Sequence, residues 1–209
     1  TKDEFLSIVP SSQNAGDITF LNHNGTYSET EYNDVHNEKA VYVGVPEKKQ
    51  SWGTIYAIKR QGTSNAYRVR WQIKRVGNTS NEGDRCDTGG DAQGYRSVLV
   101  ISRYPAKKND TLTESNYNTD YTDWDNPVET LMLPICGYIN VISSGGGALI
   151  YAGSETIYHT STANTSNNTS WSFRVKFSGN HWDKYLFMWT GERRGFGCSV
   201  RCVRDKNVN

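Results

Sequence analysis

The stretch Tyr67-Arg-Val-Arg-Trp-Gln-Ile-Lys74 alternates apolar and polar side chains at every position. A period of two is typical of a β-strand that turns one face to a core and the other to water. The apolar face carries Tyr67, Val69, Trp71 and Ile73, and the polar face carries Arg68, Arg70, Gln72 and Lys74. The stretch therefore predicts a strand with a wet, basic face, and it indicates a β-sheet protein.

The segments on either side of this strand supply its neighbours. Residues 53–59 form a second β-branched, apolar run, and Gly62-Thr-Ser-Asn65 supplies turn residues between the two, so we expect a hairpin. Residues 98–104 are mostly apolar and end at Pro105, which predicts a strand buried on both faces and lying beside the hairpin.

The last third of the chain repeats the pattern. In residues 171–177, Trp171, Phe173, Val175 and Phe177 alternate with outward Ser172, Arg174 and Lys176. With residues 185–189 and 197–204 this predicts three adjacent antiparallel strands. Earlier in the chain, we expect strands at 17–21 and 40–45, a short helical turn within 28–38, and polar surface loops at 77–94 and 106–126.

These elements predict one α+β domain, mostly antiparallel β with low helix content. We expect the two chain ends to lie near one another and the last strand to be central. Residues 1–50 are predicted to form an N-terminal extension that packs on the same domain.

The amino-acid composition excludes some classes of function. Hydrophobic residues make up 35% of the 209 residues and aromatics 12%, which is typical of a β-rich, loop-rich extracellular protein. Lys plus Arg number 23 against 22 Asp plus Glu, so no net field attracts nucleic acid. No run approaches the roughly 18 to 20 apolar residues of a membrane span, and no secretory leader opens the chain. We therefore expect neither a nucleic-acid partner nor membrane insertion, and interpret the chain as part of an exported protein.

Four cysteines, Cys86, Cys136, Cys198 and Cys202, contain no CxxC pair, which favours disulfides over a zinc cluster. If residues 198–202 form a strand, Cys198 and Cys202 lie on one face about 13 Å apart and cannot bridge each other. Two connectivities remain, each joining the C-terminal strand to Cys86 and Cys136.

From about residue 131 onward the sequence carries a series of landmarks in a fixed order. They are Leu133-Pro-Ile-Cys-Gly-Tyr138, the glycines 145–147, residues 148–154 (ALIYAGS), Tyr158-His-Thr-Ser-Thr162, Ser166-Asn-Asn168 and residues 195–205 (GFGCSVRCVRD). This order resembles the FISUMP-type domain of bacterial surface proteins, and residues 53–70 and 98–106 resemble its upstream part in pilus tip adhesins.

The resemblance implies a C-type-lectin-like, ligand-binding domain at residues 51–205 with a tail at 206–209, exported to the cell surface. It also implies the disulfide pairs Cys136–Cys202, inside the landmarks, and Cys86–Cys198, where the chain departs from them. Other departures are His159 in the place of a usual Trp and Ile139 in the place of a usual Arg.

Catalytic and metal-binding hypotheses find little support in the sequence. None of the four histidines stands in an HExxH or GxSxG context. One hypothesis compares Cys198 and Cys202 with the copper-binding thiols of formylglycine-generating oxidases. Structural disulfides are favoured over that hypothesis. Asp120, Asp123, Asp125 and Asn126 offer oxygen ligands for Ca²⁺ but lack the EF-hand pattern, so a solvated loop is favoured. We predict a non-enzymatic protein without a cofactor or metal.

A recognition surface is predicted between Tyr158 and Arg194, where polar and aromatic side chains cluster in turns and at strand ends. We expect a host or microbial surface glycan or protein as its partner, and other pilus subunits if the protein is instead a structural subunit. The surface is also a candidate for diversification by a retroelement, because it is rich in Asn and in Ser, Thr, His, Asp and Tyr, which an Asn codon mutated at its adenines can yield. The predicted ligand-binding residues are His159, Asn164, Asn167, Asn168, Ser172, Arg174, His181, Trp182, Asp183 and Tyr185.

Overall fold

The computed structural model of the chain describes residues 1–8, 27–33, 38–45, 54–76, 96–141, 147–150, 155–164, 169–176 and 185–193, and Cys198. Within these ranges one helix accompanies eleven strands. In chain order they are α1 (Lys2–Ile8), β1 (Tyr27–Asn33), β2 (Glu38–Val45), β3 (Thr54–Lys59), β4 (Tyr67–Val76), β5 (Arg96–Pro105), β6 (Glu129–Pro134), β7 (Tyr138–Val141), β8 (Gly147–Ile150), β9 (Glu155–Asn164), β10 (Thr169–Lys176) and β11 (Tyr185–Arg193).

The strands β1 to β6 form one antiparallel meander, called here the large sheet, in which each strand pairs with its neighbours in sequence. The predicted hairpin is confirmed as β3 and β4, with Ala57 paired to Val69. Its turn needs left-handed backbone at Arg60 and Gly62 (φ 58° and 86°), and the Thr63 amide donates to the Arg60 carbonyl at 3.1 Å. The strand predicted at 98–104 is confirmed as β5, which pairs with β4.

The strands β9, β10 and β11 form a second antiparallel sheet, called here the small sheet, with β10 in the centre. A separate pair, β7 and β8, precedes it. One parallel bridge joins Gly137 to Thr156 on β9, so the segment after β6 leads directly to the small sheet.

Alternating apolar residues of both sheets meet in one core. Tyr42, Trp71 and Leu133 of the large sheet are at most 1% exposed and belong to the same cluster as Phe173 and Val175 of β10. The two sheets therefore pack face to face, and the predicted inward face of β4 is confirmed. Burial of apolar surface, which stabilises a fold by about 25 cal/mol per Å², is the main stabilising contribution to such a core.

Helix α1 packs on the small sheet. The Phe5 ring stacks on Phe173 with centroids 5.3 Å apart, and the Lys2 ammonium lies 3.8 Å from the centroid of the Trp171 ring. The Lys2 amide also donates to the Thr162 hydroxyl at 2.9 Å. The start of the chain thus packs on the small sheet, against strands β9 and β10.

The low-helix, mostly antiparallel architecture is confirmed. Residues 28–33, where part of a helical turn was expected, belong instead to strand β1, which pairs with β2 from Tyr27–Gly44 to Asn33–Glu38, and residues 34–37 lie outside the described residues. An edge strand needs one backbone partner and no apolar face, so a polar sequence suffices for it. The strand expected at 40–45 is confirmed as part of β2.

Two further expectations fall on other parts of the chain. The predicted strand at 17–21 lies outside the described residues. Most of residues 197–204 and the C-terminal end also lie outside the described residues. The expected central position of the last strand and the expected proximity of the two chain ends therefore remain predictions. In the part of the chain that the structure describes, no helix is long and apolar enough to cross a membrane.

Candidate ligand-binding site

Three of the predicted ligand-binding residues lie together on the face of the small sheet that points away from the shared core. Ser172 on β10 pairs directly with His159 on β9, and Arg174 lies two positions further along β10. Glu155 and Ile157 of β9 share this face, which we call the small sheet's outer face. Directly paired residues hold their Cβ atoms about 5 Å apart, so Ser172 and His159 are immediate neighbours.

The outer face is more buried than the sequence suggested. Ser172 was expected to point outward into solvent, but it is 0% exposed because its strand is central and covered on both faces. The prediction of an exposed Ser172 is therefore wrong. Arg174 is also largely buried, and its guanidinium donates to Glu155 Oε1 at 2.7 Å, which places the two charges in one ion pair.

Two polar atoms at the centre of this face lack a hydrogen-bond partner. Ser172 Oγ and His159 Nε2 are both buried, and neither atom has a hydrogen-bond partner among the described residues. Burial lowers the pKa of His159, so the neutral imidazole is favoured. Because most buried polar groups in folded proteins are paired, two adjacent exceptions call for an explanation.

The remaining predicted ligand-binding residues are placed less completely. The backbones of Asn164 and Tyr185 pair with Thr169 and Lys176 at the ends of β9 and β11. Asn167, Asn168, His181, Trp182 and Asp183 lie outside the described residues. The structure therefore unites His159, Ser172 and Arg174 and leaves the other seven as predictions.

A second polar region lies on the large sheet, beneath the segment 106–128, which we call the covering loop. Leu112 of this loop packs with Val43 and Ile58 on the sheet face opposite the shared core. Trp124 is 7% exposed and sits between Tyr56 and Tyr104, with ring centroids 4.7 and 4.8 Å away. The loop is thus fixed to the sheet by apolar and aromatic contacts.

The covering loop corrects the expectation of a wet, basic face on β4. Arg68 and Arg70 are only 5% and 9% exposed. The Arg68 guanidinium donates two 2.7 Å bonds to the carboxylate of Asp123 and a 2.9 Å bond to the Pro105 carbonyl. It also lies 4.6 Å from the centroid of the Tyr121 ring, which adds a cation–π contact.

The Arg68–Asp123 pair involves one of the carboxylates that were considered as calcium ligands. The two hydrogen bonds from Arg68 lower the pKa of Asp123, because they favour the charged carboxylate. Asp123 is therefore committed to a guanidinium. Among the described residues, no three His, Cys, Asp or Glu side chains lie close enough together to hold a metal ion.

The sequence placed Arg70 on a wet face of β4 and did not indicate that it is enclosed. Its Nη1 lies 3.6 Å from a carboxylate oxygen of Asp125, whose side chain is 95% exposed, and its buried Nε has no hydrogen-bond partner among the described residues. The signal that could have indicated a covered arginine is the aromatic content of an otherwise polar loop, namely Tyr117, Tyr121 and Trp124.

The fold and these sites define a class: a mostly antiparallel β protein whose described residues form a six-stranded, a three-stranded and a two-stranded sheet, with charged and polar side chains enclosed on the outer faces of the large and small sheets. The model of the family described as "Domain of unknown function (DUF8237)" matches residues 1–203, so the chain belongs to that family. No curated protein and no solved structure matches the sequence.

Proposed function

We propose that the protein is a non-catalytic ligand-binding domain, an adhesin module exported to the bacterial cell surface, that recognises a glycan or a protein of a host or microbial surface. The resemblance of residues 131–205 to surface-adhesin domains supports this function, as does the extracellular character of the composition. The C-type-lectin-like fold in this proposal comes from the resemblance, and the antiparallel, low-helix architecture is compatible with it.

The observation that carries the proposal is the pair of unpartnered atoms Ser172 Oγ and His159 Nε2 on the small sheet's outer face. Leaving a buried polar atom without a partner costs about 1–3 kcal/mol. Both atoms are covered in the unliganded chain, so a hydroxyl or amide of a ligand would recover that cost where binding exposes them. The free energy of folding is thereby traded for affinity, which is common at functional sites.

The geometry offers a ligand an approach along β9. This strand is at the edge of the small sheet, His159 and Thr160 on it are half-buried, and Ser161 is exposed. A ligand that lies against residues 159–161 would thus place its polar groups close to Ser172. Arg174 and Glu155 form an ion pair two positions away, so the ligand meets a neutral, hydrogen-bonding centre beside paired charges.

A glycan and protein array probed with the purified domain tests the proposal. We expect a discrete set of bound ligands, with binding abolished when His181, Trp182 and Tyr185 are replaced together by Ala, because these residues belong to the predicted recognition surface. If that surface is a variable patch on a constant frame, the triple variant melts close to the wild type, since exposed substitutions usually cost within about 0.5 kcal/mol each. An array without a bound ligand, or a triple variant that still binds, would count against the proposal.

A further inference from the structure

The large sheet holds a second polar site, which is independent of the small sheet's outer face. On the side opposite the shared core, Arg70 pairs across the strands with Tyr56 of β3 and Ser102 of β5. Arg68, the next residue of β4 on that side, lies beneath the covering loop, whereas Gln72 and Lys74 beyond Arg70 are progressively more exposed. Arg70 therefore stands at the rim of the loop.

Arg70 has weaker hydrogen-bonding and ion-pair partners for its positive charge than Arg68 has. Arg68 makes three hydrogen bonds of 2.7–2.9 Å, two to Asp123 and one to the Pro105 carbonyl. For Arg70 the nearest carboxylate oxygen is that of Asp125, 3.6 Å away, beyond ordinary hydrogen-bonding length. The residue is 9% exposed, and Nε is the nitrogen of its guanidinium that is buried without a hydrogen-bond partner among the described residues.

The surroundings of Arg70 keep the site cationic. Asp123 is held by Arg68 and does not bond to Arg70. The Tyr104 hydroxyl donates to the Trp124 carbonyl and so fixes the loop beside the guanidinium. Asp125 is 95% exposed, and an exposed carboxylate at this distance contributes little because solvent and salt screen it. An incoming anion can displace it.

We propose that Arg70 is the anchor of a binding site for a carboxylate-bearing sugar, in which the carboxylate of the ligand replaces Asp125 at the guanidinium. A planar guanidinium binds a carboxylate through two parallel N–H···O hydrogen bonds. No described residue offers Arg70 a carboxylate in this arrangement. The body of the ligand would lie over the rim, where Gln72 and the exposed Thr130 present amide and hydroxyl groups.

The charge of the loop favours a single anionic group on a neutral body. The covering loop carries five acidic residues against two lysines. Such a loop repels an acidic peptide or any ligand with several negative charges, whereas a sugar acid brings one carboxylate and uncharged hydroxyls. The site is therefore matched to a uronic or similar sugar acid better than to an acidic protein segment.

The test titrates the whole chain with methyl β-glucuronide and with methyl β-glucoside, which differ in the carboxylate alone. The readout is the NMR signal of the Arg70 Nε–H group, assigned by its loss in Arg70→Gln. We expect a saturable shift with the glucuronide, weakened by salt, and none with the glucoside. Equal responses to both sugars, or a response to N-acetylglutamate methylamide but not to the glucuronide, would overturn the proposal.

Three variants sharpen this test. Arg70→Gln should weaken glucuronide binding by about tenfold or more, because a charge-assisted pair is lost. Asp125→Ala should strengthen it about twofold to fivefold by removing the competing carboxylate, whereas Asp120→Ala in the same loop should leave it unchanged. Asp125→Ala decides the matter even if Arg70→Gln fails to fold, since unchanged affinity in Asp125→Ala contradicts the displacement. None of these variants touches His159 or Ser172, so failure here is separate from failure of the proposed adhesin function.

Discussion

Arg68 and Arg70 are two positions apart on one strand face, yet their ion pairs differ in kind. The carboxylate partner of Arg68 is bidentate and partly buried, with 43% of the Asp123 side chain exposed. The partner of Arg70 is almost fully exposed and further away. Neighbouring positions thus separate an arginine in a partly buried, bidentate ion pair from the arginine that we propose as a ligand anchor.

The two pairs predict different costs of mutation. Asp123→Ala leaves the Arg68 guanidinium buried without its charge partner, and we expect a loss of about 2–3 kcal/mol in the free energy of unfolding, below the 3–5 kcal/mol of a fully buried pair. Asp125→Ala should change it by less than about 0.5 kcal/mol. Chemical denaturation of both variants measures this, and equal losses would contradict the distinction.

His159 predicts how stability responds to mild acid. Its folded-state pKa lies below the ordinary value of 6.5, so the unfolded chain takes up the proton first as the pH falls. Stability is then fully present above about pH 7 and declines as the pH drops through 6.5 toward the lower folded pKa. His159→Asn should flatten this part of the curve of unfolding free energy against pH. An unchanged decline in the variant would assign the effect to other groups.

The face of β4 that carries Arg68 and Arg70 shows what an alternating sequence pattern cannot predict. Alternation in residues 67–74 correctly identified the strand and its inward residues Val69 and Trp71. It could not reveal that a loop some forty residues further along the chain covers the other face, because periodicity reports a difference between two faces and not what packs on each. Ser172 was misjudged for the same reason, since the central strand of the small sheet is buried on both faces.

At the scale of elements, α1 and β10 form one packing unit. Phe173 is 0% exposed between the shared core and Phe5, whereas Trp171 is only half-buried under Lys2. Phe173→Ala should therefore cost about 3–5 kcal/mol. Trp171→Ala should cost clearly less, because part of its surface is already solvated. Thermal or chemical denaturation of the two variants decides, and a larger loss for Trp171→Ala would refute this packing account.

Strands with strong apolar patterns were predictable from sequence, and those without were not. β4 and β10 lie where alternation predicted strands, and β3 and β5 lie where apolar runs predicted them. β1 was not predicted, because YSETEYN has no strong apolar pattern, and its strand conformation is defined by backbone pairing with β2. Such tertiary pairing cannot be read from a local window of sequence.

At the scale of the whole molecule, the disulfide pairs Cys136–Cys202 and Cys86–Cys198 remain a prediction, since Cys86 and Cys202 lie outside the described residues. Cys136 follows β6 at an exposed position, with its Sγ 3.9 Å from the Thr156 hydroxyl of β9. A bridge there would tie the chain end to the junction of the two sheets. Non-reducing peptide mapping should find both pairs. A Cys136–Cys198 peptide or four free thiols would refute the assignment.

We propose that the small sheet's outer face binds a ligand at the cost of folding stability. Paired measurements of unfolding free energy and ligand affinity on Ser172→Ala, with a ligand found by the array, test it most directly. Removing an unpartnered hydroxyl should raise the unfolding free energy by up to about 1–2 kcal/mol, yet weaken binding about threefold to tenfold. Ser161→Ala, an exposed serine on β9, should change neither quantity. A Ser172→Ala variant that is more stable and binds as tightly as the wild type would contradict the account.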